Sequence, residues 1–303
     1  MKVTVIGSYF RDLVFYTPEF PNPGQTVHSN FATGHGGKGS NQALCAAKLG
    51  ANVQFISSVG NDGYGDEIRA EYNKRGVKTH FNISDKPTGC AGIFVSGAGQ
   101  NMICIEEGAV KDLTIDNIKA YLHSDCTDTQ LFVFQCELPY ENIKAIMKYI
   151  KAEFKNSKIL LNPAPYRKDY IYEDLGPLID ILVPNETELQ GFIPSFTVEQ
   201  LKTNSVDFQK LGVSTVLVTL GEHGCAVCEN GNISTVPAQK VTPVDTTGAG
   251  DCWIGAFCAV YTGANISEAT KFACDAASMS VQRKGASASC PSIAEVKAFK
   301  ILE

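Results

Sequence analysis

From about residue 110 onward, short runs of aliphatic and β-branched residues alternate with longer segments of helical periodicity. The predicted strands and helices of this region are Leu131–Gln135, Glu141–Phe154, Lys158–Leu161, Asp180–Val183, Val198–Leu211 and Thr215–Leu220. Strands that alternate with helices of this length form a parallel sheet covered by helices on both faces. The pattern therefore predicts an α/β fold around a large, mostly parallel central sheet.

Both ends of the chain extend this pattern. An N-terminal strand, helix, strand and helix are predicted at Lys2–Ile6, Lys38–Leu49, Val53–Val59 and Tyr64–Lys74. Asn230-Gly231 is a typical hairpin turn and predicts one antiparallel pair near the end of the sheet. Ala249–Tyr261 is apolar on almost every side and predicts a buried helix, and Ser267–Val281 predicts the last clear helix.

Two separated insertions interrupt the alternation. Residues 13–33 contain three prolines among scattered β-formers, and Cys90–Ser96 and Asn101–Glu106 read as strands around a glycine-containing turn. We therefore expect a small β-sheet lid from residues 13–33 and 89–106. Residues 1–12, 34–88 and 107–303 would then form the α/β core.

Composition argues against several classes of protein. The net charge is −6, and no basic run is longer than Lys74-Arg75 or Arg283-Lys284, so a nucleic-acid partner is not expected. The 11 cysteines are odd in number and lie in apolar surroundings, which is typical of reduced thiols. No apolar run approaches the roughly 20 residues that span a bilayer, and no signal peptide is visible. We expect a cytosolic protein with no membrane partner.

The most informative motif is Val244-Asp245-Thr246-Thr247-Gly248-Ala249-Gly250-Asp251, directly before the apolar helix. Its glycines allow close approach of a ligand, and the first amides of a helix form an anion site together with the helix dipole. A carboxylate beside such a site suits a base that deprotonates a group attacking phosphate, a role worth about 10²–10⁴ in rate. Asp and Gly are also common near helix starts. The shorter motif Gly-x-Gly-Asp would by itself more often be a helix cap than a phosphate site, and it is the full eight-residue motif that is specific.

This motif resembles the second signature of the ribokinase-like, pfkB-type carbohydrate kinase family. Gly36-Gly37-Lys38-Gly39-Ser40-Asn41-Gln42-Ala43 resembles the first, and further matches lie between them at Asn162–Pro165, Pro184–Glu188 and Val218–Gly221. The resemblance runs from Val3 to about Pro291. It implies a three-layer αβα sandwich with a β lid, and its motifs are more similar to ribokinases than to adenosine or fructose kinases. The implied reaction is ATP-dependent phosphorylation of D-ribose at O5.

The resemblance also implies roles for individual residues. Asp251 would be the general base, and the amides of Gly248, Ala249 and Gly250 would receive the transferred phosphoryl group. The implied sugar contacts are Asp12, Gly37, Lys38, Asn41, Glu137 and Asp245. The implied nucleotide contacts are Asn185, Thr219, Gly221 and the segment Ala273–Ser278, with Cys274 near the adenine.

Two metal ions are implied in the same way. Glu188 would order Mg²⁺ through water, which suits an ion that keeps most of its waters; acidic residues are also common at the start of a helix. A monovalent cation, usually K⁺, would be held mostly by backbone carbonyls. Its implied ligands are Asp245, Thr247, Ser280, Arg283, Gly285 and Ser289.

The chain departs from the family pattern at three places. Phe10-Arg11 replaces a small polar pair, Cys274 stands where a histidine is frequent, and Glu106-Glu107-Gly108 adds acid at the end of the lid. Two other motifs are discounted. Gly34–Gly39 matches G-x-G-x-x-G, but Asn30–Thr33 is not the buried strand that a dinucleotide site requires. Cys225 and Cys228 should face opposite sides of a strand, so we expect packing rather than metal binding.

Three alternatives remain open at this stage. The first is a related kinase for 2-deoxyribose, fructose or a nucleoside, because one hydroxyl more or less cannot be read from the sequence. The second is a non-catalytic sugar sensor, against which the intact Asp251 argues. The third is an oxidoreductase built on the Gly34–Gly39 loop. In the family two lids pair, so a homodimer is expected.

Overall fold

The computed structural model describes residues 1–203, 206, 208–229 and 231–299. Its strands in these ranges are β1 (Lys2–Ile6), β2 (Phe10–Thr17), β3 (Asn30–Gly36), β4 (Asn52–Gly60), β5 (Lys78–Ser84), β6 (Cys90–Ser96), β7 (Asn101–Glu106), β8 (Leu131–Gln135), β9 (Lys158–Asn162), β10 (Ile181–Leu182), β11 (Thr215–Thr219), β12 (Cys225–Glu229) and β13 (Asn232–Val236). Its α-helices there are α1 (Lys38–Lys48), α2 (Gly63–Lys74), α3 (Ile115–Asp125), α4 (Tyr140–Glu153), α5 (Tyr172–Leu175), α6 (Glu186–Phe192), α7 (Val198–Lys202), α8 (Ala249–Val260), α9 (Ile266–Ser280) and α10 (Ile293–Ala298). None of the helices described is long and apolar enough to cross a membrane.

Within the described ranges, nine strands form the main sheet in the order β13-β12-β11-β10-β9-β8-β1-β4-β5. Pairing is parallel from β11 to β5, and β12 and β13 are antiparallel at one edge. The mostly parallel sheet and the antiparallel hairpin are therefore confirmed. Of the predicted turn, Asn230 lies outside the described residues, but Glu229 and Asn232 pair across it.

Helices cover both faces of this sheet because its strands are apolar on both sides. In β8, Leu131 and Val133 pack into the core under α1, α8 and α9, whereas Phe132 and Phe134 pack against α3 and α4. Every residue of β8 is buried, as expected for a central parallel strand. The predicted three-layer αβα arrangement is confirmed.

The same alternation of side chains places the two cysteines of β12 on opposite faces of the sheet. Cys225 belongs to the core on the α8 side and Cys228 to the core on the α4 side. Both thiols are free. The expectation that this pair packs on opposite faces is therefore confirmed.

A second sheet has the order β3-β2-β6-β7. β2 pairs with β6 in parallel, and β3 and β7 are antiparallel outer strands. All of β7 is exposed, including Met102, Ile103 and Ile105. At the other edge, β3 is an antiparallel strand whose first four residues are exposed. The strand that leads into Gly34–Gly39 is therefore not the buried strand of a dinucleotide site, as expected.

One predicted helix was wrong, and several elements were missed. Instead of one helix over Val198–Leu211, α7 ends at Lys202 and a 3₁₀ turn covers Phe208–Leu211; positions 204, 205 and 207 of that prediction lie outside the described residues. Thr, Asn, Ser and Val, which follow Lys202, are weak helix formers. β5, α3 and α10 were not predicted. β5 is an edge strand, so it carries polar residues instead of a continuous apolar run.

Candidate active site

The carboxyl ends of the central strands bring the predicted site residues to one edge of the main sheet. Glu137 follows β8, Asn162 ends β9, and Asn185 follows β10. Thr219 ends β11, and Asn185 forms a parallel bridge with it. This edge is where parallel α/β sheets bind ligands, because the loops leaving the strands converge there.

The turn before α8 has the backbone geometry of an anion site. Gly248 is its N-cap with φ +71°, and a Cβ there would lie 2.8 Å from the Cα of Ala286. In the part of the chain that the structure describes, no protein acceptor engages the amides of Gly248 and Gly250. The amide of Ala249 donates to the carbonyl of Thr246 at 3.2 Å. Two of the three predicted amides are therefore available to a ligand as they stand.

Asp251 lies in the first turn of α8, is buried, and is held by two side-chain amides. Gln42 Nε2 donates to its Oδ1 at 2.9 Å, and Asn41 Nδ2 donates to its Oδ2 at 3.2 Å. Burial raises the pKa of Asp251, while Lys38 and the two amides oppose that shift. A carboxylate with a raised pKa, oriented by fixed donors, suits a general base.

Gln42 was missed by the sequence reasoning. Its Nε2 also donates to Asn162 Oδ1 at 3.1 Å, and its Oε1 accepts from Gln135 Nε2 at 2.8 Å. Asn162 in turn donates to the carbonyl of Val183 at 2.9 Å. This chain of amides fixes the orientation of Gln42 and with it the donor to Asp251. A polar residue in the buried stretch of α1 was the available signal.

The close packing of α1 on α8 makes these contacts possible. A Cβ on Gly255 would lie 2.6 Å from the Cβ of Cys45 and 2.9 Å from the carbonyl of Gln42. Glycine at position 255 therefore lets the two helices approach closely enough for side chains of α1 to reach Asp251.

Lys38 and Glu137 lie in the same site as Asp251. Glu137 accepts hydrogen bonds from the hydroxyl of Ser8 and, at 2.7 Å, from the backbone amide of Lys38. Burial raises the pKa of Glu137. Burial also opposes the charged form of Lys38, but the carboxylates of Asp251, Glu137 and Glu188 together raise its pKa. The lysine is thus a positive charge within a largely acidic site.

Asp12 lies in β2, close to the loop that begins α1. Burial raises its pKa to about 6, opposed by the charge of Arg11. A Cβ at Gly36 would overlap its carboxylate, so glycine there makes room for it. Gly37 caps α1 with φ +88°. The aspartate is therefore held in a confined position beside the first motif.

The unusual Phe10-Arg11 pair is held by contacts other than Asp12. Phe10 is buried in the core, and Arg11 pairs with Glu67 at 2.9 Å and donates to Thr33 at 2.7 Å. His35 lies in β3, and its Nδ1 forms a hydrogen bond with the hydroxyl of Tyr9 at 3.0 Å.

The predicted nucleotide residues lie at the other end of the same edge. Asn185 caps α6 and forms a capping box with Glu188, whose Oε2 accepts from the Asn185 amide at 2.9 Å. Gly221 begins a 3₁₀ turn after β11. Cys274 is buried in α9, and its sulfur accepts from the indole of Trp253 at 3.4 Å. Its thiol therefore faces the core rather than an open cleft.

The two segments predicted to bind a monovalent cation contact each other. Asp245 accepts from the amides of Thr247 and Gly285, both at 2.9 Å. Although burial opposes it, these hydrogen bonds lower the pKa of Asp245. Nearby, the carbonyl of Ser280 accepts from the amide of Arg283 at 3.0 Å, and the hydroxyl of Ser289 donates to the carbonyl of Ala286 at 2.7 Å.

The comparisons with known proteins identify the family. The model of the pfkB family of carbohydrate kinases matches residues 1–293. The chain belongs to this family. Among its relatives in this pfkB family, a ribokinase of Haemophilus influenzae is 36% identical to it, over 98% of this chain and 97% of the relative. A deoxyribokinase of Salmonella typhi is 33% identical, over 99% of this chain and 98% of the relative.

Solved structures of pfkB-type kinases share the whole fold. A ribokinase from Giardia lamblia has a TM-score of 0.87 and 36% identity, covering 98% of this chain and 97% of its own. An Arabidopsis thaliana ribokinase, solved with ribose and ATP, has a TM-score of 0.83 and 31% identity over 98% and 97%. The predicted ribokinase-like fold is therefore confirmed.

Proposed function

We propose that this kinase transfers the γ-phosphoryl group of ATP to O5 of D-ribose. The observation that carries the proposal is Asp251, a buried carboxylate held by two amide donors beside the free amides of Gly248 and Gly250. A ribokinase relative and a ribokinase structure containing ribose and ATP, both similar over nearly the full chain, support the choice of substrates.

In the proposed reaction, Asp251 takes the proton of the sugar hydroxyl as its oxygen bonds to phosphorus. The bond between the γ-phosphorus and the bridging oxygen breaks, and ADP leaves. The amides of Gly248 and Gly250 stabilise the negative charge of the transferring group, joined by Ala249 if Thr246 releases it. Phosphoryl transfer depends mainly on such positioning and charge stabilisation.

The remaining predicted contacts become part of this proposal. A carboxylate at Asp12 and a carboxamide at Asn41 suit vicinal hydroxyls, because together they accept and donate hydrogen bonds. The side-chain oxygen of Asn41 is buried without a protein partner among the described residues, which leaves an acceptor for the sugar. The other proposed sugar contacts are Gly37, Lys38, Glu137 and Asp245. The proposed nucleotide contacts are Asn185, Thr219 and Gly221, whereas the burial of Cys274 does not favour a direct contact.

The donor sets fit the two proposed ions. Glu188 uses Oε2 in the capping box, so its second oxygen can hold a water of Mg²⁺. The segments bearing Asp245, Thr247, Ser280, Arg283, Gly285 and Ser289 meet and offer carboxylate and carbonyl oxygens, which suit K⁺. The divalent ion would supply charge neutralisation to the phosphates, and the monovalent ion would fix the turn before α8.

The proposal is tested by ADP release with D-ribose, 2-deoxyribose, fructose and a nucleoside, in potassium and in sodium. We expect the highest kcat/KM with ribose in potassium. Folded protein that turns over none of these substrates would contradict the proposal and favour a sugar sensor.

Asp251→Asn is the matching variant. A flip of the Asn41 carboxamide can satisfy the new amide, so we expect a folded protein that still binds ATP. Turnover should fall by about 10²–10⁴ through loss of the base. Near-normal turnover would remove Asp251 from that role.

A second candidate is phosphorylation of 2-deoxyribose, favoured by the deoxyribokinase relative at 33% identity. The two sugars differ by one hydroxyl, and a site that hydrogen-bonds this hydroxyl discriminates strongly against its absence. The ratio of kcat/KM for the two sugars decides between the candidates.

We further propose a homodimer formed through the second sheet. Met102, Ile103 and Ile105 of β7 are 58%, 51% and 53% exposed, which is unusual for an edge strand because such edges are normally protected. A cytosolic location is proposed as well, since the eleven free cysteines fit a reducing compartment.

A further inference from the structure

Three cysteines from separate parts of the chain meet behind the first turn of α8. Cys45 lies in α1, Cys252 in α8, and Cys290 in the segment before α10. Their Sγ atoms all lie within 4.8 Å of one another, and no side chain is more than 1% exposed. We call this group the three-sulfur cluster. No other set of three His, Cys, Asp or Glu side chains in the described ranges comes this close.

The three sulfurs lie close together because the backbone segments that carry them pack tightly against one another. Gly255 lets α1 pack directly onto α8 at Cys45. Cys290 then points at the carbonyl of Cys45 at 3.8 Å, and Cys252 points at the carbonyl of Ala276 at 3.7 Å. These S–H···O contacts are weak, so the sulfurs hold no strong partner that a ligand would have to displace.

The geometry suits a metal ion bound by three sulfurs. A metal–sulfur bond of about 2.3 Å places three trigonal sulfurs about 4 Å apart, within reach of small side-chain adjustments. Zinc in closed sites almost always takes four ligands, and no fourth His, Cys or carboxylate joins this cluster among the described residues. Soft thiolates also select Cu(I), which accepts three-coordination.

We propose that the three-sulfur cluster binds one Cu(I) ion with sulfur-only coordination. Two thiols release their protons to solvent as their bonds to copper form, and the third coordinates as a thiol. Copper enters and stays as Cu(I), so no electron is transferred. The complex carries one net negative charge, and the charge of Lys48 favours it at Cys290; Arg283 acts in the same direction but is ion-paired with Glu295.

Occupation would tie together the two helices that hold Asp251. Cys252 follows Asp251 directly, and Cys45 lies one helical turn beyond Asn41. The bound ion therefore stiffens the packing of α1, α8 and the segment before α10. This binding does not depend on the proposed kinase reaction.

The experiment uses the full chain, with Cu(I) supplied anaerobically as its acetonitrile complex and a Cu(I) chelator as competitor. Bound copper is counted after gel filtration, and its ligands are identified by X-ray absorption. Cys290→Ala tests the cluster. Cys258→Ala is the matched control, because Cys258 is an equally buried thiol of α8 outside the cluster. Every variant carries Cys104→Ser to remove the exposed lid thiol.

We expect one copper per chain with only sulfur ligands, a raised thermal midpoint, loss of this copper in Cys290→Ala, and retention in Cys258→Ala. The protein that carries only Cys104→Ser keeps all three cysteines of the cluster, so its copper content tests the proposal even if Cys290→Ala folds poorly. If the Cys104→Ser protein fails to retain copper against the chelator, the proposal is overturned. Full retention by folded Cys290→Ala, or retention of Zn(II) but not of Cu(I), would also overturn it.

Discussion

Replacing Gln42 by methionine should shift the acid limb of the kinase's pH profile to higher pH while the protein stays folded. Gln42 donates to Asp251 Oδ1 at 2.9 Å, and Gln135 and Asn162 fix its orientation. Methionine has a similar volume but no amide, so Gln42→Met leaves the carboxylate with one side-chain donor, Asn41. Burial already raises the pKa of Asp251, and losing a donor to the charged form raises it further.

The size of the effect follows from the strength of that hydrogen bond. A hydrogen bond to a charged group contributes about 1.5–3 kcal/mol, which corresponds to about 10- to 160-fold in the balance between base and acid forms. Because only the ionised carboxylate accepts a proton, kcat/KM on the acid side should fall by about this factor. The acid limb of the profile therefore moves to higher pH, and activity recovers as the pH rises.

The assay is kcat/KM for D-ribose across the pH range at which each protein stays folded. Gln54→Met is the matched control, because Gln54 is also a buried glutamine and donates to the carbonyl of Asp125 at 2.9 Å, away from Asp251. The control should lose stability without moving the acid limb. If the profiles of Gln42→Met and the wild type coincide after normalisation, the amide does not tune the base and our reasoning is wrong.

Three further outcomes are expected. Asp12→Asn should abolish ribose binding but raise the thermal midpoint above pH 6, because burial raises the pKa of Asp12 to about 6 and stability falls as that group ionises; equal midpoints at pH 8 would contradict this. Gly255→Ala should destabilise by about 1–3 kcal/mol in urea titrations, because its Cβ would lie 2.6 Å from that of Cys45, whereas Gly63→Ala meets nothing within 4 Å and should be neutral. Ile105→Lys should give a monomer by light scattering, and a wild-type monomer would refute the lid dimer.

Local patterns predicted much of the fold correctly. The strands β1, β6, β7 and β8 were predicted with their observed bounds, because each is a short run of β-formers between clear turn signals. α8 was expected to be buried because it is apolar on almost every side, and it packs against α1 and α9 in the core on one face of the sheet. The proposed roles of Asp251, Asp12 and Glu137 came from the family motifs and remain predictions.

The polar edge strand β5 and the short helix α10 escaped prediction because neither shows enough of an apolar repeat, whereas α3 was missed although Ile115, Ile118 and Leu122 have helical spacing. β5 is polar since it closes the sheet on one side, and α10 is too short to show a helical repeat. The reverse error occurred at Val198–Leu211, where apolar spacing suggested one helix although weak helix formers interrupt it.

The sequence by itself determined the alternation of strands and helices, the two family motifs and the availability of a glycine-rich turn before α8. Only the tertiary structure decided what surrounds Asp251. Gln42 and Gln135 lie 93 residues apart and meet only because α1 packs over β8. Likewise, Cys45 and Cys290 lie 245 residues apart along the chain. Contacts over such separations depend on how closely two elements pack, and no local pattern of residues encodes that distance.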